Sequence, residues 1–106
     1  MRKKRILVTG ASGAVGRELI AELVKSRGVF DIRAVDLPGR RTARVLKPFL
    51  RDIELVCGSV DDSAFVRSAV QNVDMVIHLA AVIPPVADDD PYLAARVNIW
   101  GTHNII

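Results

Sequence analysis

An α/β fold built on a parallel sheet is predicted by three observations along this 106-residue chain. Short apolar segments rich in β-branched residues alternate with segments whose apolar residues recur at helical spacing. Turns carrying Gly, Pro, Asp or Ser separate them. At the first passage from strand to helix, Ile6 to Ile20, Gly10, Gly13 and Gly16 stand three residues apart.

The first strand is read at about Arg5 to Thr9. A helix follows at about Val15 to Ser26, with Val15, Leu19, Ile20, Leu23 and Val24 expected on its buried face. Ile32 to Asp36 is the second strand. A poorer helix follows near Arg41 to Leu50, where Val45, Leu46, Phe49 and Leu50 share a face and Pro48 argues for an early or distorted end. The third strand is about Ile53 to Cys57, with Cys57 expected in the core as a small apolar residue. Asp61 or Asp62 caps a helix that buries Phe65, Val66, Ala69 and Val70. The fourth strand, Asp74 to Ala80, is apolar on both faces, as a central parallel strand should be. A loop rich in Pro and Asp, Pro84 to Pro91, leads to a last helix expected to bury Leu93, Val97 and Trp100.

Half the residues are hydrophobic and a quarter charged, a globular profile for one domain spanning 1–106. No apolar run approaches the roughly 20 residues that cross a bilayer. The basic start Met1 to Arg5 leads straight into a strand and not into a signal-peptide core. The expected location is therefore cytoplasmic, with no membrane partner. Net charge is +3, with basic residues at Arg2 to Arg5 and at Arg40, Arg41, Arg44 and Lys47. Only 5% of residues are aromatic and no reading helix is evident, so these read as a solvated positive face and no nucleic-acid partner is expected.

The glycine run reads as a phosphate-binding turn. A backbone that turns sharply, approaches a pyrophosphate and seats a helix against its strand needs glycine at such points. The helix N-terminus then offers unpaired N–H groups to an anion. Asp36 follows Gly16 by twenty residues and ends the second strand, where an acid accepts hydrogen bonds from an adenosine ribose. Asp36 also suits the turn Asp36-Leu37-Pro38-Gly39; the order strand, glycines, helix, strand, acid favours the ribose role. A P-loop is excluded, because Gly16 is followed by Arg17-Glu18 and not by Lys and a hydroxyl residue.

Thr9-Gly10-Ala11-Ser12-Gly13-Ala14-Val15-Gly16 resembles the cofactor loop of the extended short-chain dehydrogenases, the NAD-dependent epimerase/dehydratase group. Gly58-Ser59-Val60-Asp61-Asp62 is similar to that family's Gly-Asp-x-x-Asp. Val76-Ile77-His78-Leu79-Ala80-Ala81 is similar to its fourth strand, and Asn98-Ile99-Trp100-Gly101-Thr102-His103-Asn104 to its Asn-x-x-Gly-Thr-x-Asn helix. The resemblance implies a Rossmann-type sheet in the order 3-2-1-4, incomplete relative to the family. It implies NAD as cofactor ahead of NADP, and a dinucleotide site drawn from Gly10, Ser12, Gly13, Ala14, Val15, Gly16, Asp36, Leu37, Ser59, Val60, Leu79, Ala80, Ala81 and Asn98. In a sheet of that order a ligand lies outside the carboxyl ends of the strands, which brings Gly13, Asp36, Ser59 and Ala80 towards one crevice.

Two departures qualify the cofactor reading. Ser59 stands where the family commonly has an Asp facing the adenine amino group, and Arg40 and Arg41 lie within reach of a 2′-phosphate, which Asp36 would repel. The family's Tyr-x-x-x-Lys pair is not found: Tyr92 is the only tyrosine, Arg96 lies four residues on, and no catalytic residue is assigned. His78 and His103 have no Cys or carboxylate at metal-ligand spacing; His78 is expected to hydrogen-bond locally at its strand end, and Ser12 to bond phosphate or backbone. The resemblance implies the N-terminal, dinucleotide-binding portion of an epimerase, dehydratase or reductase acting on a nucleotide sugar or a similar hydroxyl or carbonyl substrate. The alternative is a non-catalytic, regulatory dinucleotide-binding module. A sheet cut short after its fourth strand leaves an apolar edge from Asp74 to Val82, so self-association is expected.

Overall fold

The structure, a computed structural model, describes residues 3–80. Four strands and three helices alternate: β1 (Lys4–Thr9), α1 (Ala14–Val24), β2 (Phe30–Asp36), α2 (Arg40–Leu46), β3 (Glu54–Cys57), α3 (Ser63–Ala69) and β4 (Met75–His78). The strands form one parallel sheet in the order β3-β2-β1-β4, as expected. Ile6 pairs with Ile32 on one side and Met75 on the other; Thr9 pairs with Val35 and His78, and Asp36 with Cys57. The carboxyl ends of all four strands therefore lie along one rim.

Period-two alternation along β1 divides the core between the two faces of the sheet. Ile6, Val8, Ile32 and Ala34 pack with Ile20 of α1 and Leu46 of α2, and Leu19, Leu23 and Phe49 are partly buried against them. Leu7 and Val35 face the other way and pack with Ala69, Phe65 and Val70 of the α3 segment. Leu7, Val8 and Ile20 have no exposed surface.

Arg33 also faces α3, and its side chain is only 12% exposed. Nε donates to Glu54 Oε1 on β3 at 2.5 Å, and Nη1 donates to the carbonyls of Ala69 and Gln71 at 2.6 and 2.9 Å. A cation thus meets the carbonyl end of α3, where the helix dipole favours it. At the other end of α3, Asp62 Oδ1 accepts from Ala64 N at 3.1 Å and Phe65 N at 3.2 Å, which chooses Asp62 over Asp61 as the cap.

Several expectations are corrected. Val15 is not core: it is 67% exposed, and Gly16 is the residue of that turn that α1 buries. Cys57 is exposed at the end of the edge strand β3. Helix α1 begins one residue earlier and ends two earlier than its periodicity suggested, and passes into turns. Pro48 has the effect expected of it: α2 stops at Leu46 and Lys47–Phe49 forms a 3₁₀ turn, leaving Leu50 exposed. Strand β4 is Met75–His78, shorter than Asp74 to Ala80. Met75 and Val76 are exposed, since among the described residues β1 is the only strand paired with β4.

Candidate functional site

The glycine turn sits on the carboxyl rim of β1. Gly10 has φ +68°, the left-handed region that glycine adopts without penalty. A Cβ there would lie 2.8 Å from Ala80 N and from the Leu79 carbonyl, so the turn presses against the chain leaving β4. A Cβ on Gly16 would lie 2.2 Å from Gly10 O, so α1 is seated directly on the turn. Gly13, the N-cap, differs: a Cβ there meets only Gly10 O, at 3.3 Å. Gly13 N donates to Gly10 O at 3.1 Å, and the first helical bond is Arg17 N to Gly13 O at 2.9 Å. The amides of Ala14, Val15 and Gly16 precede that bond, at a helix N-terminus where Ala14 and Val15 are exposed. Such amides favour an anion.

Asp36 is tied to this turn from the end of β2. Its Oδ2 accepts from Ser12 N at 2.8 Å and from Ser12 Oγ at 2.5 Å, and its Oδ1 accepts from Leu37 N at 2.8 Å. The Ser12 hydroxyl therefore bonds a carboxylate, where the sequence suggested phosphate or backbone. Ser12 is buried, while Leu37 is 56% exposed beside it. Asp36 O accepts from Gly58 N at 3.0 Å, which brings the turn after β3 alongside. There Ser59 Oγ bonds the Asp61 carboxylate, Asp61 N returns to Ser59 Oγ at 3.4 Å, and Val60 is buried. Gly13, Asp36, Ser59 and Ala80 thus belong to segments joined by hydrogen bonds or backbone contact on one rim.

The β1–β4 crevice is closed by a pair not counted in the predicted site. Thr9 Oγ1 accepts from Leu79 N at 3.0 Å and Ala80 N at 3.1 Å, and lies 2.6 Å from His78 Nδ1. With two N–H groups donating to it, the hydroxyl gives its own proton to Nδ1, so the imidazole is neutral with its proton on Nε2. Burial pushes the His78 pKa below its ordinary 6.5. The local bonding expected of His78 is therefore found. The signal for Thr9 was a lone hydroxyl that closes the apolar run Ile6 to Val8 at the end of the strand.

Ala81 and Asn98 lie outside the described residues, as do Tyr92, Arg96, His103 and the final helix. Among the described residues no group of His, Cys, Asp and Glu could hold a metal, and no helix is long and apolar enough to cross a membrane.

Sheet order, glycine turn and acid at the end of β2 together define a Rossmann-type unit of the short-chain dehydrogenase class. The chain belongs to the 3-beta hydroxysteroid dehydrogenase/isomerase family, whose model matches residues 7–106. It is 34% identical over 109 residues to a Methanocaldococcus jannaschii protein named an uncharacterized membrane protein, covering 99% of this chain and 32% of that one. It is 32% identical to the dTDP-glucose 4,6-dehydratase of Mycolicibacterium smegmatis, covering 96% of this chain and 31% of that one. Among solved structures, the Bordetella bronchiseptica enzyme WbmH in complex with NAD+ superposes with a TM-score of 0.76 at 32% identity, covering 98% of this chain and 34% of that one. The chain thus spans about a third of the length of the proteins it matches.

Proposed function

We propose that this chain is the N-terminal, NAD-binding portion of a dehydrogenase, epimerase or dehydratase whose substrate carries a secondary hydroxyl or a carbonyl, a nucleotide sugar in the first instance. The observation that carries this reading is the bond between Asp36 and the glycine turn, which sets a carboxylate beside a helix N-terminus. The residues fit a dinucleotide. The open side of Gly13 and the amides of Ala14, Val15 and Gly16 suit a pyrophosphate, and Asp36 suits the adenosine ribose. Leu37 supplies exposed apolar surface for the adenine, with Ser59 and the buried Val60 at its edge. Leu79, Ala80 and, beyond the described residues, Ala81 and Asn98 complete the list on the nicotinamide side. When bound, the cofactor would accept or return a hydride; this chain's share is to hold and orient it. The dTDP-glucose 4,6-dehydratase relative supports the nucleotide-sugar choice.

Arg40 and Arg41 open α2 just after Asp36, but the carboxylate would face a 2′-phosphate first, so NAD is preferred to NADP. Calorimetric titration of the full-length protein with NAD and NADP, repeated on Asp36→Ala, tests this. Saturable NAD binding, weaker NADP binding and loss of the NAD preference in the variant are expected. A folded protein that binds neither nucleotide would refute it.

A further inference from the structure

Asp36 has less to offer a ribose than its position suggests. A carboxylate accepts about four hydrogen bonds, two at each oxygen. Both sites on Oδ2 are taken by Ser12, one by its amide at 2.8 Å and one by its hydroxyl at 2.5 Å. Leu37 N takes one site on Oδ1. One acceptor site remains, whereas an adenosine ribose brings two vicinal hydroxyls. The hydroxyl of Ser12 is not needed to aim the carboxylate, because two backbone amides, Ser12 N and Leu37 N, already hold one oxygen each.

Resting on the dinucleotide reading above, the geometry points to Ser12 as a specificity-determining residue whose hydroxyl competes with the ribose for Asp36. While Ser12 Oγ holds its place, the site reads one ribose hydroxyl. The second reaches the carboxylate only when Ser12 Oγ turns away, and that rearrangement weakens binding by the bond it breaks. Ser12 is 3% exposed, so a displaced hydroxyl finds no bulk water and must be taken up by another acceptor nearby. Removing the hydroxyl frees the second site on Oδ2 and leaves both amides in place.

The test combines a protein change with a ligand change in the full-length protein. Wild type, Ser12→Ala and Asp36→Ala are titrated calorimetrically with NAD and with NAD analogues lacking the adenosine 2′-hydroxyl or 3′-hydroxyl; a thermal melt checks each fold. In the wild type, one of the two deoxy analogues should bind within about threefold of NAD, because only one hydroxyl is read. In Ser12→Ala, NAD should bind several-fold more tightly and each deletion should now cost roughly tenfold or more, as befits a hydrogen bond to a charged acceptor. A merely structural role for Ser12 would change all three ligands equally.

If Ser12→Ala binds NAD more weakly than wild type, or if the two proteins lose the same factor for each missing hydroxyl, the competition is refuted while Asp36 recognition stands. If Asp36→Ala binds NAD as tightly as wild type, Asp36 does not read the ribose and this inference fails while the dinucleotide reading stands; if folded wild type binds no NAD, the dinucleotide reading fails and this one with it.

Discussion

The three glycines of the turn differ in what they touch, and substituting each by alanine should separate their roles. The Cβ of Gly16→Ala would come to 2.2 Å from Gly10 O, which is 1.2 Å short of the 3.4 Å at which ordinary contact begins. It would also lie 2.9 Å from the Cα and carbonyl carbon of Ala11. All these are backbone atoms, so no side chain can rotate away, and α1 must lift off the turn. Overpacking costs about 1–3 kcal/mol as a rule, and a contact with no soft partner belongs at the upper end, about 3 kcal/mol. Gly10→Ala meets backbone at 2.8 Å and adds the left-handed φ of +68°; that conformation alone costs a side-chain-bearing residue about 1–2 kcal/mol. Gly13→Ala meets a single backbone atom, Gly10 O, at 3.3 Å, which asks for a shift of only a few tenths of an ångström, and it loses a favoured N-cap, about 1 kcal/mol. Gly28 has nothing within 4 Å and serves as the control; its alanine variant should be neutral or gain up to about 1 kcal/mol. Urea unfolding followed by far-UV circular dichroism measures the series. A Gly16→Ala protein within 1 kcal/mol (roughly a fivefold change in folding constant) of wild type would refute the seating of α1, as would a Gly13→Ala protein less stable than Gly16→Ala.

Stability should also depend on pH through His78. Its pKa in the folded chain is pushed below 6.5 by burial, so the unfolded chain takes up the proton first as pH falls. The contribution of the neutral ring is complete above about 6.5 and is lost as pH falls through the folded value, with a slope of at most about 1.4 kcal/mol per pH unit. His78→Asn, whose amide oxygen can accept the Thr9 proton in place of Nδ1, should remove that slope; an unchanged acid limb in urea titrations would contradict the assignment. Asp62→Ala should cost about 1 kcal/mol by leaving the amides of Ala64 and Phe65 uncapped, and a loss under a few tenths in the same unfolding assay would show that the cap is not used.

The alternation of strands and helices, the turn and the acid at the end of β2 were legible because each leaves a local mark: periodicity, glycine spacing, a chain-order rule. Pro48 was legible for the same reason, since a missing N–H acts within its own turn. Val15 misled because helical spacing does not show that the first turn of α1 is seated through Gly16 instead, and Cys57 because an apolar strand does not announce which of its residues ends an edge. The partner of Ser12 was out of reach: a hydroxyl bonds phosphate, backbone or carboxylate equally well, and Asp36 lies 24 residues away. Arg33 falls inside the second strand with no local mark of its own; only the packing of α3 against β2 shows where its guanidinium goes.

That guanidinium bears on how the layers of the unit are tied together. It joins the middle of β2, the start of β3 and the last carbonyls of α3 through three hydrogen bonds made by one side chain. The carboxyl rim is held differently, by the bonds of Asp36 with Ser12 and Leu37 and by glycines pressed against backbone. One cation therefore serves two strands and a helix end at once, and replacing Arg33 would leave a carboxylate and two carbonyls to find other donors together.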